Sequence, residues 1–238
     1  FSDFTMKKEY EGLQNKEKNT EGWIKYDRFG YEGLSEILAY RFSKLLSTRL
    51  SFCEYTPISN EKGIGCFSKS VITASEKLVS LYSFFPEEPE ALSSKHLFEY
   101  YIPHVIEITK LKDFGEWLTE LFVFDLLIEN EDRNPGNILL IWDNGKYKYA
   151  PVMDNANSLG YRDENIHYGK KLAKPLMLSH REQVDLFQAK YHSNIKLIGN
   201  RIKTSDLYNY YSGLQISQAC KILEYTVKRH LGTDINYE

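Results

Sequence analysis

Two short stretches hold residues of the types that phosphoryl chemistry requires. The first, Glu129-Asn-Glu-Asp132-Arg133-Asn134-Pro135-Gly136-Asn137, sets an aspartate and, five residues on, an asparagine in a polar loop just before an apolar run. The second, Val152-Met153-Asp154-Asn155, ends an apolar run on another carboxylate. Phosphoryl transfer from ATP needs such a set: a carboxylate to take the proton of the attacking hydroxyl, and two oxygen ligands for the metal on the phosphates. Asp132 suits the base, while Asn137 and Asp154 suit the Mg²⁺ ligands. Any surface turn can contain D-R-N-P-G-N. The order of apolar helix, polar loop, hairpin and second aspartate is what favours the catalytic reading.

Such a site also needs a cation on the nucleotide phosphates and a carboxylate to fix it. Trp23-Ile24-Lys25-Tyr26 sets Lys25 inside an apolar and aromatic strand, and Glu36 falls in the first turns of the next helical stretch. A strand Lys paired with a helix Glu is the arrangement of kinase N-lobes, and D-x-x-x-x-N is the spacing of their catalytic loop. The alternative is a solvent-facing Lys25 and a Glu36 placed only by the helix dipole. The downstream triplet tips the balance toward the nucleotide-binding pair Lys25 and Glu36.

The run Phe124-Asp-Leu-Leu-Ile-Glu-Asn-Glu-Asp-Arg-Asn-Pro-Gly-Asn-Ile-Leu-Leu140, with Asp154 after the hairpin, resembles HipA-like serine/threonine kinases. These share a core with the phosphatidylinositol kinase-like superfamily, whose loop reads D-R-H-x-x-N. Tyr31-Glu-Gly-Leu-Ser-Glu36 is similar to the approach to the Glu-bearing helix, and Lys174-Pro175-Leu176 and the Gln183 region to the C-lobe. The resemblance runs from about Trp23 to the C-terminus and is strongest over 121–157. It departs in three ways. Asn134 stands in place of His, and the phosphate loop is poor in glycine, with Gly12 and Gly22 flanking a charged stretch. Only about two dozen residues precede Lys25, which makes the likeness one to a minimal, HipT-like core. Between Leu13 and Gly22, Thr20 is the only hydroxyl acceptor, so no counterpart of an autophosphorylated Ser is expected.

Elements must hold these side chains in place. Gln14–Gly22 reads as a tight turn and Trp23–Tyr26 as a strand. Apolar spacing predicts a helix over roughly Leu34–Ser47, then strands at Phe52–Thr56 and Gly63–Phe67. After a break at Pro86–Ser94, helices are expected at Ser94–Lys110 and Phe114–Leu127. The strand Ile138–Trp142 then turns through Asp143-Asn144-Gly145-Lys146 into Tyr147–Met153. Arg181–Tyr191, Ser205–Gly213 and Ile216–His230 read as further helices. The expected fold is α+β, two-lobed and protein-kinase-like: a small antiparallel N-lobe sheet with one helix (1–80) and a mainly helical C-lobe (81–238).

Composition narrows the alternatives. The 238 residues carry 30 Lys+Arg against 33 Asp+Glu, a net charge of -3, which argues against a nucleic-acid coat or a polybasic membrane binder. Aromatics at 14%, with 14 Gly and 7 Pro, exclude low-complexity disorder. The most apolar run, Leu118–Ile128, is interrupted by Glu120 and Asp125 and is too short to span a bilayer. The first residues lack an apolar core behind a basic start, so no secretory leader is expected, and the missing initiator Met puts the expected start upstream. Cys53, Cys66 and Cys220 form no C-x-x-C, which fits a reducing, cytoplasmic setting. The six histidines give no ligand spacing.

The resemblance implies ATP- and Mg²⁺-dependent phosphorylation of a protein Ser/Thr, with an antitoxin-type protein among the partners it admits. A lipid or small-molecule kinase of the phosphatidylinositol kinase-like class, and a catalytically silent nucleotide-binding module, stand as alternatives.

Overall fold

The structure, a computed structural model, describes residues 16–85, 95, 97–162 and 177–238. It is a mixed α/β fold. Gly12, the break at Pro86–Ser94 and Lys174-Pro175-Leu176 lie outside the described residues.

Strands β1 (Lys16–Lys18), β2 (Gly22–Tyr26), β4 (Thr56–Asn60) and β5 (Gly63–Lys69) form an antiparallel sheet in the order β1-β2-β5-β4. The stretch expected to be one turn therefore contains a strand, and the turn itself is confined to Asn19–Glu21. The strand expected at Phe52–Thr56 starts instead at Thr56 and runs through Pro57. A proline is tolerated there because β4 is an edge of the sheet and its missing N–H faces no partner strand. Phe52 makes a single bridge to Val152. Gly65 lets β5 lie tightly on β2, since a Cβ at that position would meet the Lys25 carbonyl oxygen at 2.0 Å.

The helix Glu32–Ser43 packs on this sheet with Leu34, Ile37, Leu38 and Phe42 fully buried. It ends four residues earlier than the apolar spacing predicts. The N–H of Lys44 donates to the Arg41 carbonyl and that of Leu45 to the Phe42 carbonyl, and Leu46–Ser47 leaves as β3 to pair with β9 (Lys196–Leu197). Leu45 and Leu46 keep packing against the core without being helical.

The helix Phe114–Ile128 is the centre of the remaining structure, and every residue in it but Glu116 is buried. A helix apolar on all sides belongs inside a core. Its buried Glu120 is satisfied by Thr48 Oγ1, the Arg49 backbone and guanidinium, and the Asn194 N–H. Strand β6 (Lys77–Ser80), which the sequence reading missed, pairs with β7 (Leu139–Asp143), and β7 pairs with β8 (Lys146–Tyr149). Residues 77–80, on the N-lobe side of the expected division, thus belong to the sheet that carries the hairpin. The hairpin turns on Asn144 and Gly145, both with positive φ, as a two-residue turn requires. Its second strand stops at Tyr149, short of the expected Met153.

The expected helix at Ser94–Lys110 resolves into a wide π-type turn at Leu97–Tyr101 followed by an α-helix at Ile102–Thr109, with Pro103 at its start. Ser205–Asn209 is a single 3-10 stretch, because Ser212 caps a new helix, Gly213–Leu231. Ser179 caps His180–Gln188 in the same way, each through a reciprocal capping box. Arg201–Ile202 (β10) and Asn236–Tyr237 (β11) form a short parallel pair. Among the described residues no helix is long and apolar enough to cross a membrane.

Candidate active site

Lys25 lies inward on β2, opposite Cys66 of β5, and is buried. Its ammonium donates to Glu36 Oε1 at 2.6 Å and to Asp154 Oδ1 at 2.6 Å, with Tyr55 Oη 3.4 Å away. Burial works against the charge on Lys25, but Asp154 and Glu36 outweigh it and raise its pKa well above the ordinary lysine value. The solvent-facing alternative for Lys25 is thereby excluded. Glu36 is fully buried, and its second oxygen accepts the backbone N–H of Asn155 at 2.9 Å.

Asp154 follows β8 in the left-handed region, at φ 57. A non-glycine residue there is uncommon, and aspartate is among the few that tolerate it. Burial would raise its pKa, but Lys25, Lys16 and Arg133 hold it well below the usual carboxylate range. Its side chain remains 29% exposed.

Asp132 and Asn137 stand together in the loop after the core helix. The Asn137 amide donates to the Asp132 carbonyl at 2.8 Å and to its carboxylate at 3.4 Å. Asn157 and Asn134 also donate to that carboxylate, at 3.1 and 3.0 Å, and the Asp132 N–H donates to Asn130 Oδ1. Asp132 is exposed, so its carboxylate is oriented by neutral amides yet open to an incoming group.

The residue that sequence reasoning left without a role is Arg133, the largest fully buried side chain. It pairs with Asp125 at 2.9 Å, donates to the carbonyls of Asn137 and Met153 at 3.0 and 2.8 Å, and reaches Asn155 Oδ1 at 2.6 Å. One guanidinium thus binds the core helix, the Asp132 loop and the Asp154 segment together. An acid at 125, deep in an otherwise apolar stretch of the helix and eight residues before Arg133, was the available signal. His180 adds a second tether, its Nε2 2.7 Å from the Asn130 carbonyl.

The donor set fits a divalent ion with phosphate. Among the described residues, Asn137 Oδ1 and Asp154 Oδ2 receive no hydrogen bond, and the Arg133 guanidinium holds the carbonyls of Asn137 and of Met153, the residue before Asp154. Mg²⁺ is commonly held by one or two such oxygens together with substrate phosphates. The phosphate loop is less favourable. The N–H groups of Glu21 and Gly22 are taken by the Asn19 side chain at 2.9 and 2.8 Å.

No protein-family model matches this sequence, and no curated protein matches it. Solved structures do, among them a Helicobacter pylori proinflammatory kinase, CtkA, at a TM-score of 0.64 and 14% identity, over 90% of this chain and 87% of that one. At that identity the likeness is one of fold: the chain has a kinase-like α+β architecture, with a small antiparallel sheet and helices around the site described above.

Proposed function

We propose that the chain is an ATP-dependent, Mg²⁺-assisted kinase of HipA-like type that phosphorylates a Ser or Thr hydroxyl on a protein. The observation that carries this reading is the Lys25 ammonium, 2.6 Å from both Glu36 and Asp154, which joins a strand, a helix and the post-hairpin segment. When bound, ATP supplies the transferable phosphoryl group and Mg²⁺ offsets its charge. Asn137 and Asp154 would hold the metal through their unengaged oxygens. Lys25, kept in place by Glu36, donates to phosphate oxygens. Asp132, aimed by three asparagine amides, accepts the proton of the acceptor hydroxyl at its carboxylate.

The protein acceptor and an antitoxin-type partner rest on the HipA-like resemblance, and a cytoplasmic setting on the three cysteines without a C-x-x-C. Incubation of the chain with a cytosolic lysate and γ-labelled ATP, with and without Mg²⁺, tests the whole reading. Mg²⁺-dependent label on protein is expected. Label confined to lipid or metabolite would replace the protein acceptor with a small one, and absence of transfer would remove the enzyme reading.

A further inference from the structure

Strands β1 and β2 bring a second lysine to the site. In their antiparallel register Lys16 stands directly opposite Lys25. Directly opposed residues project from the same face of a sheet, and this is the face from which Lys25 reaches Asp154. Like charges so placed work against the strand pair; Glu36 and Asp154 offset the charge of Lys25, and a further anion would offset that of Lys16.

The neighbouring charges are already engaged. Lys18, on the same face, lies over the Trp23 ring at 5.5 Å, and Lys25 is held by two carboxylates. Glu17, between the two β1 lysines, bonds to Tyr26 and to Lys62 rather than to Lys16. Lys16 is exposed, and among the described residues no hydrogen bond or ion pair engages its ammonium. In the adjoining turn, Asn19 occupies the amides of Glu21 and Gly22.

We infer that Lys16 is a phosphate-binding side chain of the nucleotide site, a strand-borne cation for the polyphosphate beside a hairpin turn whose Glu21 and Gly22 amides are taken. The inference rests on the kinase reading above. Lysine serves well as a point charge toward phosphate, and its flexible stem allows it to reach from an edge strand.

Calorimetric titration of Mg²⁺–ATP into wild type, Lys16→Met, Lys16→Arg and Lys44→Met tests it. Lys44, at the end of the Glu32–Ser43 helix, controls for the loss of one positive charge. Lys16→Met is expected to raise the Kd for Mg²⁺–ATP about tenfold, the size of one charge-assisted contact. It should also flatten the salt dependence of binding. Lys16→Arg is expected to recover most of the affinity, and Lys44→Met to match wild type. If Lys16→Met binds as wild type does, or weakens only as much as Lys44→Met, the inference is overturned while the kinase reading stands. If wild type itself binds no Mg²⁺–ATP, both fall. Coincident thermal unfolding of the four proteins establishes that affinity, not folding, has changed.

Discussion

Glu36 accepts the backbone N–H of Asn155 at 2.9 Å with one oxygen and holds the Lys25 ammonium at 2.6 Å with the other. A single buried carboxylate therefore fixes both the cation on the sheet and the backbone just past Asp154. Removing either partner leaves Glu36 buried with half its bonding lost, and such groups are costly.

Lys25→Met is accordingly expected to do two things at once. Turnover should collapse, and stability should fall by about 3–5 kcal/mol, the usual cost of breaking a buried pair from one side. Urea unfolding alongside a transfer assay measures both. A stability change within roughly 0.5 kcal/mol, as for a surface residue, would contradict the buried geometry.

Asp132→Asn should separate chemistry from binding. General-base assistance contributes about 10²–10⁴-fold, so kcat should drop by that order. Affinity for Mg²⁺–ATP should hold, because Lys25, Asn137 and Asp154 are untouched, and the exposed position makes the stability change small. A variant that loses ATP binding would assign Asp132 to the metal instead.

Arg133→Met should destabilise the fold by about 3–5 kcal/mol, since it leaves Asp125 buried without its ion-pair partner. The double substitution with Asp125→Leu should recover much of that loss, and the coupling is readable in a double-mutant cycle. Additive losses would show that the two side chains act independently.

Asp27 gives a pH dependence. Burial pushes its carboxyl up to about 7, opposed by the Gly33 N–H at 2.5 Å and by Tyr211, with Glu32 adding to the rise. An unfolded aspartate titrates near 3.9, so between about pH 4 and 7 the folded chain binds more protons than the unfolded one. Stability must then fall as pH rises through that window, by about 2–4 kcal/mol. Asp27→Asn should flatten this slope in unfolding curves taken at pH 5 and pH 8. A slope unchanged by the substitution would place the titrating group elsewhere.

The parts of the site that lie close along the chain were legible in the sequence. Asp132 and Asn137 share one loop, and a hairpin signal pointed to Asp154. Lys25 and Glu36 were ambiguous, because burial decides between a surface lysine and one drawn inward to Glu36 and Asp154, and burial depends on Tyr55, Cys66 and Asp154, all distant in sequence. Arg133 was invisible as a clamp for the same reason: its four partners span residues 125–155. Among the elements, β4 was displaced because a proline normally ends a strand, and only the sheet order reveals that Pro57 sits on an edge. β6 was missed because four residues between a polar turn and a 3-10 stretch carry too little alternation to register.

The left-handed backbone of Asp154 bears on how such a site can be lost. Few side chains accept φ near 57, but asparagine accepts it about as readily as aspartate. Asn would keep the turn, the Glu36–Asn155 bond and the Arg133 clamp, and would remove only the charge. At this position the conformational filter and the chemical one admit overlapping sets of residues. Losing the charge here costs the chain almost nothing in shape, so the fold can persist without an acid at this position.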